Sequence, residues 1–146
     1  MNWGSKGRSL RRLSSQDWRW FCLAYGLLPL IALLLQQRGL RRTQNLLTRY
    51  PLPKVERRIA VKRLAAMVML ADRYSRPWSN CLRRSLLLLY LLQRYGITAS
   101  LKIGMRRHRG VMESHAWVEW EGKVLGDRAD LVETYQTFQS PESRKN

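Results

Sequence analysis

The side chains best suited to covalent or proton-transfer chemistry are few: two cysteines, Cys22 and Cys81, and two histidines, His108 and His115. Cys81 stands in SNCLRRS, directly behind Asn80 and at the head of a leucine-rich run. An Asn side-chain oxygen accepts a free N–H of a first helical turn, so Asn80 is read as the cap of a helix that begins at Cys81. That places the thiol, and the Cys81 backbone N–H, at the positive end of the helix. Arg83, Arg84 and the absence of any Asp or Glu between Asp72 and Glu113 add to the positive field. Such a field favours negative charge on sulfur, the nucleophilic form, and the same N–H groups could receive an oxyanion. The plainer reading is a small buried side chain in an apolar helix. A base decides between the two.

His108 lies in RRHRG, read as an exposed loop, whereas His115 opens HAWVEW, a strand able to aim its ring into a cleft. The orienting carboxylate depends on register in the hairpin formed by HAWVEW and KVLGD. A two-residue turn would set Asp127 opposite Ala116, on the wrong face. A three-residue loop, Trp120 to Gly122 with Gly122 left-handed, makes Glu119 face Lys123 and His115 face Asp127. The three-residue version is expected, with Asp130 and Glu133 as alternative acids. The residue types would then supply a nucleophile at a helix start, a base on a strand and an orienting carboxylate on the neighbouring strand, the set used in covalent catalysis by a thiol. Trp117 is read as core or sheet surface that helps shape the site, and Trp78 as a wall of the cleft.

These residues need a frame. Residues 1–15 read as a basic, flexible terminus and 16–77 as a helical region. Residues 78–135 read as the catalytic core and 136–146 as a polar tail, all one globular unit. Ser15 or Asp17 caps a first helix running to about Gln37 and stopped by Gly39. Pro51 and Pro53 break the chain before a second helix, Lys54 to Tyr74, whose Ile59, Leu64, Val68 and Ala71 form the buried side. A third runs from Cys81 to about Tyr95 and ends at Gly96. Residues 97–105, ITASLKIGM, then have the β-branched content of a strand. Helices first and a small antiparallel sheet afterwards give the class α+β.

With 146 residues the chain suits one domain. Its formal charge is +17, and residues 1–110 hold 23 Lys or Arg against three acids, while 111–146 hold four against seven. The positive part surrounds Cys81, so anionic partners are favoured. Two cysteines make no disulfide framework and match no zinc spacing, so neither metal nor cofactor is expected and a reducing cytoplasm is the default. Residues 20–35, WFCLAYGLLPLIALLL, imitate a signal peptide or anchor. The run is short for a span, contains Gly26 and Pro29, and is followed by QQRGLRR with no small-x-small cleavage site. It is read as a buried or interfacial helix, with peripheral contact to the inner membrane as an option.

CLRRSLLLLYLLQRYGITASLKIGM followed by SHAWVEWEGKVLGD resembles the lasso peptide biosynthesis B2 proteins, transglutaminase-like cysteine peptidases of bacterial lasso peptide pathways. The likeness covers about residues 78–127, with Met105 where relatives more often have Val. It implies a papain/transglutaminase-like core, with the nucleophile helix packed on the small sheet. Carried over position by position, it implies a catalytic triad of Cys81, His115 and Asp127. It further implies hydrolysis of the amide between the leader and the remainder of a precursor peptide. A separate leader-recognition protein and an ATP-dependent macrolactam cyclase would be the partners. Two competing readings are a basic nucleic-acid binder, for which no zinc finger, basic zipper or RNP-like motif is visible, and an acyl transferase using the same three residues.

Overall fold

A computed structural model describes residues 13–75 and 80–138. Helix α1, Ser15–Arg49, opens with a capping box: Ser14 Oγ accepts from the Asp17 N–H at 3.2 Å, and Asp17 Oδ2 accepts from the Ser14 N–H at 2.9 Å. The cap is therefore Ser14, ahead of both residues expected. Gly39 adopts φ 74°, as a stop signal should, but the chain resumes helix behind it and the element reaches Arg49. Buried Thr43, whose hydroxyl donates to the Gly39 carbonyl at 2.8 Å, secures the restart, so Gly39 is a kink and not an end.

Helix α2, Val61–Tyr74, starts seven residues later than expected. The segment behind Pro51 and Pro53 stays outside helix, and the Val55 N–H donates to the Arg94 carbonyl at 2.9 Å, tying it to the end of the helix Cys81–Arg94. Ile59 is half-buried in that segment, while Leu64, Val68 and Ala71 are buried on α2 as expected. Helix α3, Cys81–Arg94, ends in a Schellman motif: Ile97 N–H to Leu92 carbonyl, Gly96 N–H to Gln93 carbonyl, and Gly96 at φ 68°. Its Leu86, Leu87, Leu91 and Leu92 are almost wholly buried against Trp20, Leu28 and Ile31 of α1 and Leu64 and Val68 of α2, in one core.

The sheet is antiparallel and ordered β3-β2-β1-β4, from β1 (Ser100–His108), β2 (Val111–Trp120), β3 (Lys123–Leu125) and β4 (Gln136–Phe138). The single turn α4, Leu131–Thr134, precedes β4. RRHRG is not a loop: Arg106 to His108 finish β1, and Arg109 and Gly110, both at positive φ, form a two-residue turn into β2. Paired positive φ values match the right-handed twist of the strands they join. Strand β4 falls where a polar tail was expected; it pairs Ile103 with Phe138, Gly104 with Thr137 and Met105 with Gln136.

The hairpin register is also a correction. Glu121 and Gly122 take φ 50° and 73°, the turn has two residues, and Trp120 pairs with Lys123 and Glu119 with Val124. The expected three-residue loop is absent. One face of β2, through Ala116 and Val118, packs into the helical core. Its other face carries His115 and Trp117 beneath Tyr135.

Candidate active site

Asn80 sits at φ −154° and its Oδ1 accepts from the Arg83 N–H at 2.9 Å, so the predicted cap of α3 is present. Cys81 is the first helical residue and is half-buried at the edge of the core. By helix geometry the Cys81 and Leu82 N–H groups have no acceptor within the helix, and no acid occupies its first turn. Four residues on, the Ser85 hydroxyl donates to the Ala116 carbonyl at 3.0 Å. That bond ties the first turns of α3 to β2 at Ala116, with Cys81 one turn nearer the helix start.

His115 pairs across the sheet with Gly104. A Cβ at Gly104 would lie 2.8 Å from Tyr135 Cβ and 2.9 Å from Trp117 Cη2, so the two rings can close over the strand only where no side chain intervenes. The imidazole stacks on Trp117 with ring centroids 6.3 Å apart, and Tyr135 packs on it at 5.6 Å. The Trp117 indole N–H donates to Glu119 Oε1 at 3.0 Å, and the Arg106 guanidinium lies 4.9 Å over Tyr135. Two aromatic contacts thus limit rotation of the histidine ring.

His115 Nε2 is 2.8 Å from Asp127 Oδ2. The contact forms although the two-residue turn denies Asp127 a place in the ladder opposite His115. Pairing stops at Leu125, and Gly126 at φ 66°, packed on Met69 and Ala65, turns the chain so that the carboxylate swings back. The expected contact is present, and its cause is the corner at Gly126 rather than the register. Asp130 pairs with exposed Arg128, and Glu133 is exposed on α4, so neither replaces Asp127. His108 is exposed at the tip of the β1-β2 hairpin.

With Nε2 held by Asp127, Nδ1 is the nitrogen left to face a thiol. Among the described residues no hydrogen bond joins the Cys81 thiol to His115; such bonds commonly tighten only when substrate closes the site. The structure thus brings His115 and Asp127 into contact, and Cys81 is the first residue of the helix whose Arg84 pairs with that same Asp127. Trp78 lies outside the described residues.

Arg84 differs from its expected role. Instead of facing the sulfur, its guanidinium bridges two carboxylates, Nη2 to Asp127 Oδ2 at 2.7 Å and Nη1 to Asp72 Oδ2 at 3.3 Å. These side chains are 13–17% exposed, so water screens the bridge only partly. Asp127 Oδ1 accepts the Arg128 N–H at 2.8 Å. The bridge joins the end of α2, the first turn of α3 and the corner after β3, and it fixes the carboxylate that holds His115. Residue types alone did not reveal this; the only trace was an acid in the last turn of α2. Gly104 and Tyr135 were missed too, though a glycine inside LKIGM is itself a sign of close approach.

Beyond Asp127 a groove of about 790 Å³ runs between α2 and the Gly126–Arg128 corner. Met67, Met69 and Leu70 line it with Lys62, Arg73 and Arg128. Among the described residues no three His, Cys, Asp or Glu side chains converge as metal ligands.

Compared with known protein families, residues 26–140 match the transglutaminase-like superfamily. That span takes in the second part of α1, all of the sheet and every residue of the candidate site. No curated protein and no solved structure matches the chain. The α+β architecture, a helix-rich N-terminal part and a four-stranded antiparallel sheet, is that of a transglutaminase-like domain.

Proposed function

We propose, since this chain belongs to the transglutaminase-like superfamily, that its cysteine peptidase or acyltransferase type of chemistry is that of a peptidase acting through Cys81, His115 and Asp127. The finer reading, carried by the likeness of CLRRSLLLLYLLQRYGI and SHAWVEWEGKVLGD, is removal of the leader from a lasso peptide precursor. The observation that supports it most is the 2.8 Å contact of His115 Nε2 with Asp127 beside a helix that begins at a cysteine.

In this reading the Cys81 thiolate attacks the scissile carbonyl carbon and a C–S bond forms. The oxyanion that develops is received by N–H groups at the start of α3. His115, charged after taking the thiol proton, returns it to the leaving amine as the C–N bond breaks. Water, deprotonated by the same imidazole, then cleaves the thioester and frees the carboxylate. Asp127 keeps the ring turned with Nδ1 outward and stabilises the imidazolium. The groove beyond Asp127, with its methionine floor and cationic rim, suits an acidic stretch of peptide. A separate leader-recognition protein would present the precursor, and a macrolactam cyclase would take the product.

Mass spectrometry of a precursor incubated with the recognition partner and either this protein or Cys81→Ala tests the reading. Cleavage by the unaltered chain alone is expected. Equal cleavage by both would remove the peptidase assignment. If the acyl group passes to an added primary amine in preference to water, the chemistry is transfer.

A further inference from the structure

The outer side of α1 is an apolar stripe that the described residues leave uncovered. From Trp20 to Gln37 the helix carries no charged residue. Its inward positions, Trp20, Ala24, Leu28 and Ile31, are core. The outward ones follow the helical repeat through Trp18, Cys22, Tyr25, Leu30 and Leu33. Trp18, Tyr25, Leu30 and Leu33 are each 43–49% exposed, so large side chains face water along about four turns of helix. At one end the aromatic residues gather: Phe21 meets Trp18 edge-on at 5.6 Å, stacks on Tyr25 at 6.0 Å and touches Tyr74, itself 44% exposed.

Charge indicates what covers this stripe. Exposed Arg19 stands at one end and exposed Arg38, Arg41 and Arg42 at the other. The sole acid of α1, Asp17, is buried and paired with Arg63 at 2.8 Å. The helix is thus apolar along this stretch and carries exposed arginines and no exposed acid at both ends. Docked against a second copy, cations meet cations whether the helices run parallel or antiparallel, in a chain already at +17. An anionic lipid surface meets both demands. Acyl chains take up the stripe, headgroup phosphates pair with the arginines, and Trp and Tyr rings sit at the headgroup level.

We infer that α1 seats the protein on an anionic membrane surface, lying flat in the interface. The helix is long and apolar enough by length and composition to cross a bilayer. Crossing would, however, strip Trp20, Leu28 and Ile31 from the core they share with α2 and α3. The contact is therefore peripheral, with the candidate site on the sheet side of the molecule.

The test is co-sedimentation of the full chain with phosphatidylcholine vesicles, with and without phosphatidylglycerol. Binding to the anionic vesicles alone is expected, released by alkaline carbonate and weakened by salt. Leu30→Asp/Leu33→Asp should lower it at least tenfold. Arg41→Gln/Arg42→Gln, which leaves the apolar surface intact, should lower it several-fold, and circular dichroism checks that each variant is folded. Four outcomes overturn the inference: no sedimentation with either vesicle, folded stripe variants that bind unchanged, resistance to carbonate, or a stable dimer that the stripe variants dissociate.

Discussion

Helices α1 and α3 begin on the same side-chain device and put it to different ends. At α1, Ser14 and Asp17 cap one another's backbone, and the Asp17 charge meets the positive helix end and the Arg63 guanidinium. Arg63 holds the Asp17 carboxyl well below the usual range, at about 2. The charge there is paired as well as capped, and the result is stability. At α3, Asn80 caps the Arg83 N–H without bringing a charge, and the position equivalent to Asp17 is Arg83. The carboxylates that approach, Asp72 and Asp127, stand off at Arg84. Among the described residues no carboxylate lies in the first turn of α3, and the proposed chemistry would use that positive end for the sulfur and for charge that develops during reaction. A closed start holds a fold together, and an open one can do chemistry.

The contrast can be broken most severely at Asp127. Asp127→Asn leaves the shape of the site but cannot hold an imidazolium, and kcat for cleavage should fall roughly 10³–10⁴-fold with the melting temperature little changed. Arg84→Met should cost about 3 kcal/mol in chemical denaturation, since it strands two part-buried carboxylates near one another. Cleavage should fall with it, and Arg84→Lys should restore charge without the two-ended grip and recover only part of both. Arg83→Asp rebuilds at α3 the arrangement of α1. It should hold or raise the melting temperature while slowing cleavage about fivefold, the kinetic equivalent of ~1 kcal/mol of lost dipole and charge support.

The smallest effects lie at α1. Ser14→Ala should cost about 1 kcal/mol and leave cleavage untouched. Because the Asp17 carboxyl is held at about 2 against an ordinary 3.8, its contribution is complete above pH 4 and disappears as pH falls from about 4 to 2. Thermal melts across that window should show the loss in the unaltered chain and a flatter profile in Asp17→Asn.

What could be read from the sequence was what neighbouring residues determine. Asn80 before Cys81 announced its helix, and Gly96 closed it, because caps act over three or four residues. Gly39 was seen as a break, but that the helix resumes depends on buried Thr43 and on packing that the local signal does not contain. The late start of α2 is of the same kind, since Val55 is held by Arg94 at the far end of another helix. Strand β4 is three residues long and exists through its pairing with β1, so no periodicity could reveal it. Asp127 was identified through a register that does not form. The carboxylate reaches His115 because Gly126 turns the chain, and Arg84 anchors it from across the sequence. Long-range bonds, not residue types, completed the site.

The central claim, that the start of α3 activates its sulfur, has a control inside the molecule. Cys22 is exposed on α1 away from any cap, while Cys81 is only half-exposed. Alkylation by iodoacetamide at neutral pH, followed residue by residue by mass spectrometry, compares them directly. Cys81 should react faster despite its lower exposure, and His115→Ala should remove the advantage. Faster reaction at Cys22, or a Cys81 rate indifferent to His115, would contradict the account.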